Sequence, residues 1–133
     1  MAGRARGLLR RAAALLAAAA CLTMVAAAVA GYAVASPSRA RVGGPPPDLA
    51  AAGARAVAFP NPWGDTLRGW FVPGRPGGGA VLLMHGIRSN RLSMLDRARA
   101  LNRAGFAALL FDFQAHGESG GDHMTFGARE SGR

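Results

Sequence analysis

The chain has 133 residues, one Cys and a formal net charge of +9, carried by 16 basic residues that are all Arg. A single Cys excludes a disulfide framework or a thiolate metal site. The charge does not read as a nucleic-acid surface either, because no basic stripe is interleaved with aromatic residues. Arg in place of every Lys points to a GC-rich bacterial genome rather than to a partner.

The chain opens on a basic n-region, residues 1–11, with Arg4, Arg6, Arg10 and Arg11. Residues 12–35 follow without a charge, rich in Ala and carrying Leu15, Leu16, Leu22, Met24 and Val25. At about 1.5 Å per residue such a helix is long enough to cross a hydrocarbon core. The Arg cluster then stays cytoplasmic, which puts everything after Ser36 on the extracytoplasmic side. A second reading is a cleaved signal peptide, since Ala33-Val34-Ala35 is an A-x-A pattern and would release a secreted protein near Ala35. Cys21 lies inside the apolar block and reads as a plain membrane residue. The only partner legible here is the membrane, through residues 12–35.

Residues 36–53 contain Pro37, Gly43-Gly44 and Pro45-Pro46-Pro47, a composition that predicts an extended linker. Ala54–Phe59 reads as a first strand, and Asn61-Pro62-Trp63-Gly64-Asp65 as a turn. Thr66–Val72 returns as a second strand with apolar groups on both faces, so the two predict an antiparallel hairpin. Trp63 and Trp70 are read as hairpin or core residues. A Gly- and Pro-rich loop leads to Ala80–Met84, five apolar residues in a row that read as a strand buried on both faces. His85-Gly86-Ile87-Arg88-Ser89-Asn90 is the polar loop at its end.

Beyond Asn90 the period becomes helical. Ser93 with Asp96 fits a capping box, with Ser89 or Asn90 as alternative caps, and Leu95, Ala98 and Leu101 mark an apolar stripe. Arg97, Arg99 and Arg103 face water, and Gly105 fits the C′ position. Phe106–Phe113 reads as another buried strand, closing a right-handed parallel crossover. A polar Gly-rich loop, Gln114 to Gly121, comes next, and Thr125 marks the start of a further helix.

Two loops carry a family resemblance. His85-Gly86 at a strand end, followed by a polar loop, resembles the oxyanion loop of the α/β-hydrolase superfamily. Asp112-Phe113-Gln114-Ala115-His116-Gly117-Glu118-Ser119 is similar to the Asp-x-Arg-Gly-His-Gly-x-Ser after the fourth strand of many such proteins, with Gln114 and Ala115 where Arg and Gly are commoner. The resemblance covers roughly residues 54–133, by the spacing expected of βα units. It implies an α/β fold: the N-terminal part of an α/β-hydrolase sheet, an antiparallel hairpin then a parallel βαβ unit, after an N-terminal membrane helix. It also implies that the backbone N–H of Ile87 is an oxyanion donor. His85, Gly86, Asp112, His116 and Gly117 are then expected to shape the loops, and Asp112 to accept backbone N–H groups. No cofactor and no metal are implied.

Gly117-Glu118-Ser119-Gly120-Gly121 satisfies G-x-S-x-G literally, which would make Ser119 a nucleophile. Its context weighs against that role. Ser119 stands several residues past the strand end, and one βα unit before the family's nucleophile. Only His123 and Glu130 follow it to serve as base and acid, too local for a triad built from separate loops.

The sequence therefore reads as a membrane-tethered or exported α/β-hydrolase, serine-aminopeptidase-like or esterase-like. Such a protein hydrolyses an ester, thioester, amide or peptide bond of a small-molecule or peptide substrate with a serine nucleophile. Residues 54–133 are short for that fold, so the expectation is a truncated domain that lacks nucleophile elbow, acid and base and is inactive as it stands. The alternative is a non-enzymatic membrane-anchored α/β protein that binds a partner.

Overall fold

The computed structural model describes residues 2–127, with side chains from Arg6 onward. The chain divides into two units, Met1–Ala35 and Ser36–Arg133. The first is one helix, α1 (Ala2–Ala35). Its stretch Arg6–Ala35 is long and apolar enough to span a membrane or to act as a signal sequence.

In the second unit, β1 (Ser38–Arg39) and the short helix α2 (Pro47–Ala51) precede the hairpin strands β2 (Arg55–Pro60) and β3 (Thr66–Val72). The strand β4 (Ala80–Met84), a 3₁₀ turn (Arg91–Met94), the helix α3 (Leu95–Arg103) and the strand β5 (Ala107–Phe111) follow, and β6 (His116–Gly117) comes last. The main sheet has the order β2-β3-β5-β4. β2 pairs antiparallel with β3, β3 antiparallel with β5, and β4 parallel with β5 in the register Ala80↔Ala107 to Met84↔Phe111. The hairpin and the parallel strand–helix–strand unit thus form as their periodicities predict. That β3 joins β5 rather than β4 was not legible, because a crossover fixes only that β4 and β5 are parallel.

α3 carries an apolar stripe and follows a capped 3₁₀ turn. Asn90, in extended backbone, accepts the Leu92 N–H at 3.0 Å, and the Ser93 hydroxyl donates back to the Asn90 carbonyl at 2.9 Å. Asn90, one of the alternatives, therefore caps the 3₁₀ turn that leads into α3; α3 itself begins after Met94 without a side-chain cap, and Ser93 serves the turn. Gly105, at φ +91°, ends α3: the Phe106 N–H reaches the Leu101 carbonyl at 3.0 Å, closing the last turn as a left-handed residue allows. The core under α3 comprises Val72, Leu83, Ala98, Ala108 and Leu110, all buried. On the opposite edge of the sheet β4 has no neighbour among the described strands, and Leu82 and Met84 stay 51 % and 58 % exposed. The expectation that Ala80–Met84 is buried on both faces therefore holds for the α3 face alone.

Residues 36–53 depart from the linker expectation. They belong to the folded unit: β1 pairs parallel with β6, and Leu49 of α2 enters the core at 2 % exposure. The signals were local but short. Pro47 at the first turn and Asp48 in it start a helix, and burying one Leu contributes up to about 3 kcal/mol. Arg99, read as facing water, turns back to Asp48 and Asp96, with Nε 2.7 Å from Asp48 Oδ2. β5 ends at Phe111, two residues before the predicted end, because the Phe113 N–H leaves the ladder for the His85 ring. The helix read to begin at Thr125 does not start there, since Phe126 and Gly127 sit at φ +49° and +87°; residues 128–133, Glu130 among them, lie outside the described residues.

Candidate active site

The C-terminal ends of β4 and β5 lie side by side, and each hands the chain to a polar loop. Between them opens a cleft of about 330 Å³ lined by His85, Gly86, Ile87, Phe113, His116 and Phe126 among others. Its wall is mostly apolar. Ile87 is 69 % exposed, and its amide makes no hydrogen bond among the described residues.

Two imidazoles hold the loops that frame it. His85 Nε2 accepts the Phe113 N–H at 3.1 Å, and its Nδ1 lies 2.7 Å from the Gly86 carbonyl. A ring nitrogen that accepts an N–H is unprotonated, so the proton sits on Nδ1 and His85 is neutral. His116 repeats the pattern: Nε2 accepts the Arg88 N–H at 3.1 Å, and Nδ1 lies 2.8 Å from the Gln114 carbonyl. The two rings pack with centroids 5.1 Å apart, and Phe113 lies edge-on to His85 at 5.0 Å. Each loop therefore carries a histidine that pins an amide of the other loop. Burial lowers the His85 pKa, and the nearby His116 adds to the effect.

Beneath the loops lies a buried ion network. The Asp112 carboxylate, fully buried, accepts the Arg91 N–H at 2.7 Å on Oδ1 and the Glu118 N–H at 3.0 Å on Oδ2. It also contacts the Arg91 guanidinium directly. That guanidinium, itself 2 % exposed, lies 4.8 Å over the Trp70 ring and reaches Glu118 Oε2 at 2.6 Å. Its Nη2 also donates to the Gly43 carbonyl at 3.2 Å. Arg91 Nε is the one buried side-chain polar atom without a partner among the described residues. Sequence reading missed Arg91 and Glu118. Arg91 was the detectable one, since an Arg at the start of a capped helix and an Asp at the next strand end face each other in a parallel βαβ unit.

Gly117 is required by this carboxylate. It sits at φ +49°, and a Cβ there would lie 2.1 Å from Asp112 Oδ2. Ala115, fully buried at φ +60°, occupies the left-handed region where the resembling motif commonly has Gly. Gln114, the other departure, is buried with Oε1 3.2 Å from Asn61 Nδ2, so the loop is tied to the β2–β3 turn.

Ser119 lies away from the cleft in a closed environment. Its hydroxyl donates to the Asp112 carbonyl at 2.6 Å and accepts the Arg68 N–H at 2.9 Å, and the residue is fully buried. Both valences of the hydroxyl are used, in stitching the end of β5 to β3. His123 makes no hydrogen bond with it among the described residues, and Glu130 lies outside them. No cluster of metal-ligating side chains occurs among the described residues.

Neutral His85 and ionised Glu118 make stability depend on pH in two steps. The His85 pKa is lowered on folding, so its contribution is present above the ordinary value near 6.5 and is lost as pH falls below it. Glu118 is held down to about 2, first by the Gly43 N–H and then by Arg91 and the Val42 N–H, against an ordinary value of 4.5. Its contribution is present above pH 4.5 and is lost as pH falls toward 2. Thermal midpoints measured from pH 8 to pH 3 should fall through the first window and again through the second. In His85→Gln the first decline should vanish; an unchanged profile would remove His85 as its source.

Strand order, crossover and loops together define an α/β-hydrolase-like fold: the N-terminal part of such a sheet, hairpin first and then a parallel βαβ unit. No family model matches the chain. Its structure is similar to that of the Pyrococcus furiosus esterase Pf2001 in two crystal forms. One has a TM-score of 0.61 at 31 % identity, covering 71 % of this chain and 37 % of the esterase. The other gives 0.59 at 29 % identity with the same coverage. In sequence it is 27 % identical over 75 residues to the uncharacterized protein YqkD of Bacillus subtilis (strain 168), covering 56 % of this chain and 25 % of YqkD. The chain thus spans about a third of the esterase's length and a quarter of YqkD's.

Proposed function

We propose that the protein is a serine hydrolase of the α/β-hydrolase type, cleaving carboxylic esters, in which the Ile87 N–H is one donor of the oxyanion hole. The Ile87 amide, which lines the cleft without a partner among the described residues, carries this reading. It stands at the C-terminal end of a parallel strand, where this architecture gathers its chemistry. It is held there by a neighbouring amide, that of Arg88, locked onto His116. A donor so fixed needs no reorganisation when negative charge develops on a carbonyl oxygen. Likeness to Pf2001 supports ester bonds ahead of the thioester, amide or peptide bonds of serine-aminopeptidase-like relatives. The apolar cleft wall suits an uncharged acyl or alkyl group. The described residues supply this donor and not the nucleophile, since the Ser119 hydroxyl is enclosed by Arg68 and Asp112. His85 and His116 have both ring nitrogens engaged and serve the loops rather than proton transfer.

The test is labelling by a fluorophosphonate probe of the protein isolated from its own cells, with the modified residue mapped by mass spectrometry. The label is expected on a serine outside residues 36–127, together with turnover of a short p-nitrophenyl ester. Ser119→Ala should label like the wild type while losing about 1–3 kcal/mol of stability, the cost of leaving buried polar groups unpaired. Label on Ser119 itself would make that residue the nucleophile. Absence of both label and turnover would overturn the hydrolase reading.

The apolar helix α1 is proposed to tether the folded unit to the membrane, that unit lying on the extracytoplasmic side. Full-length product should then fractionate with membranes and lose its folded unit to protease added from outside. A soluble species beginning at Ser36 would show cleavage after Ala35 instead.

A further inference from the structure

The first stretch of the folded unit runs along the loop after β5 as a strap. Four of its backbone N–H groups and one carbonyl between Ser38 and Gly43 find partners on that loop, on Arg91 or on Trp70. The Ser38 N–H donates to the Ala115 carbonyl at 2.8 Å and the Ala40 N–H to the Gly117 carbonyl at 3.1 Å. The Arg39 guanidinium donates to the Gly121 carbonyl at 2.6 Å and to the Ser119 carbonyl. The Val42 and Gly43 N–H groups share Glu118 Oε1, each at 3.0 Å. The Gly43 carbonyl accepts Arg91 Nη2 and, at 3.3 Å, the indole Nε1 of Trp70.

The partners on the loop side are the groups that set the cleft. His116, paired with Ser38 in the β1–β6 ladder, holds the Arg88 amide next to Ile87. Arg91, which grips the strap through Gly43 and Glu118, also ties the far end of the Ile87 loop to Asp112. One bound segment therefore bears on both ends of the loop that carries the Ile87 amide. The hairpin and the crossover could form without it, since none of their ladders includes residues 38–43.

We infer that Ser38–Gly43 is a positioning strap for the cleft, with Arg39 and Glu118 as its two latches, and that releasing it loosens the Ile87 loop without unfolding the sheet. Its catalytic consequence rests on Ile87 being the oxyanion donor; its structural content does not. Only Ser36 and Pro37 stand between the end of α1 and β1, so a cut after Ala35 leaves the strap whole, whereas a cut after Gly43 removes it.

The test reads amide hydrogen exchange in the full chain in detergent, without turnover, so its outcome is independent of whether ester hydrolysis is the reaction. The Arg88 amide reports the cleft loop and the Leu110 amide reports the sheet. In Arg39→Ala, exchange at Arg88 should rise by tenfold or more relative to Leu110. Glu118→Gln keeps the side-chain shape but loses the charge, and should raise the same ratio by a smaller factor if Arg39→Ala does not fold. Asn102→Ala removes a bond to the Pro73 carbonyl far from the strap and should leave the ratio unchanged. Two outcomes would overturn the inference. Arg88 could stay protected while the Ala40 and Val42 amides exchange freely, or Arg88 and Leu110 could rise in parallel.

Discussion

Replacing Ile87 by Pro should reduce kcat for ester hydrolysis by about 10²–10³, the usual cost of one oxyanion donor, while KM changes little. The substitution removes the N–H proposed to meet the carbonyl oxygen, at a residue 69 % exposed on the wall of the cleft. Charge on the oxygen exists in the transition state and scarcely in the ground state, so the loss appears in kcat. Ile87→Ala keeps the amide and should stay within a few-fold of the wild type. The assay uses the protein isolated from its own cells, with thermal midpoints taken for both variants. If Ile87→Pro kept full turnover at an unchanged midpoint, the oxyanion assignment would be wrong. If Ile87→Ala fell as far as Ile87→Pro, the side chain rather than the amide would be the functional group.

Removing the Asp112 carboxylate should cost stability more than any other single change at the site. Asp112→Ala leaves the Arg91 guanidinium 2 % exposed with its closest counter-ion gone, and leaves the Arg91 and Glu118 N–H groups without an acceptor. Breaking a buried pair in this way costs about 3–5 kcal/mol, a large share of the stability of a small domain, even though Glu118 and the Gly43 carbonyl still meet the guanidinium. Arg91→Met, which empties the site of cation while filling its volume, leaves Asp112 two backbone donors and should cost less. The order of these two variants in urea unfolding is the check. A loss below about 1 kcal/mol in Asp112→Ala would show that solvent reaches the pair and that burial does not govern it.

Short-range pattern determined much of this protein. An apolar run closed by Gly86, alternation in Thr66–Val72 and a stripe at Leu95, Ala98 and Leu101 gave strand, hairpin and helix, because side-chain period follows directly from backbone geometry. The apolar block before Ser36 was legible for the same reason, from length and composition alone. Two His-Gly loops at the right separation then pointed to the sheet they belong to, and to Ile87 and Asp112 at its strand ends.

Tertiary structure decided what depends on distant partners. Val42 meets Glu118 across 76 residues and Arg39 meets Gly121 across 82, so the Pro- and Gly-rich stretch that composition assigns to a linker becomes the strap of the cleft. Composition reports what a segment does alone, and these backbone groups are satisfied only by a loop that folds elsewhere. Ser119 matches a catalytic motif in sequence, yet its hydroxyl is enclosed by Arg68 and Asp112, since a motif records spacing and not the strand it follows. The placement of β3 beside β5 likewise emerges only when the whole sheet assembles, because local pairing rules permit β3 beside β4 equally well.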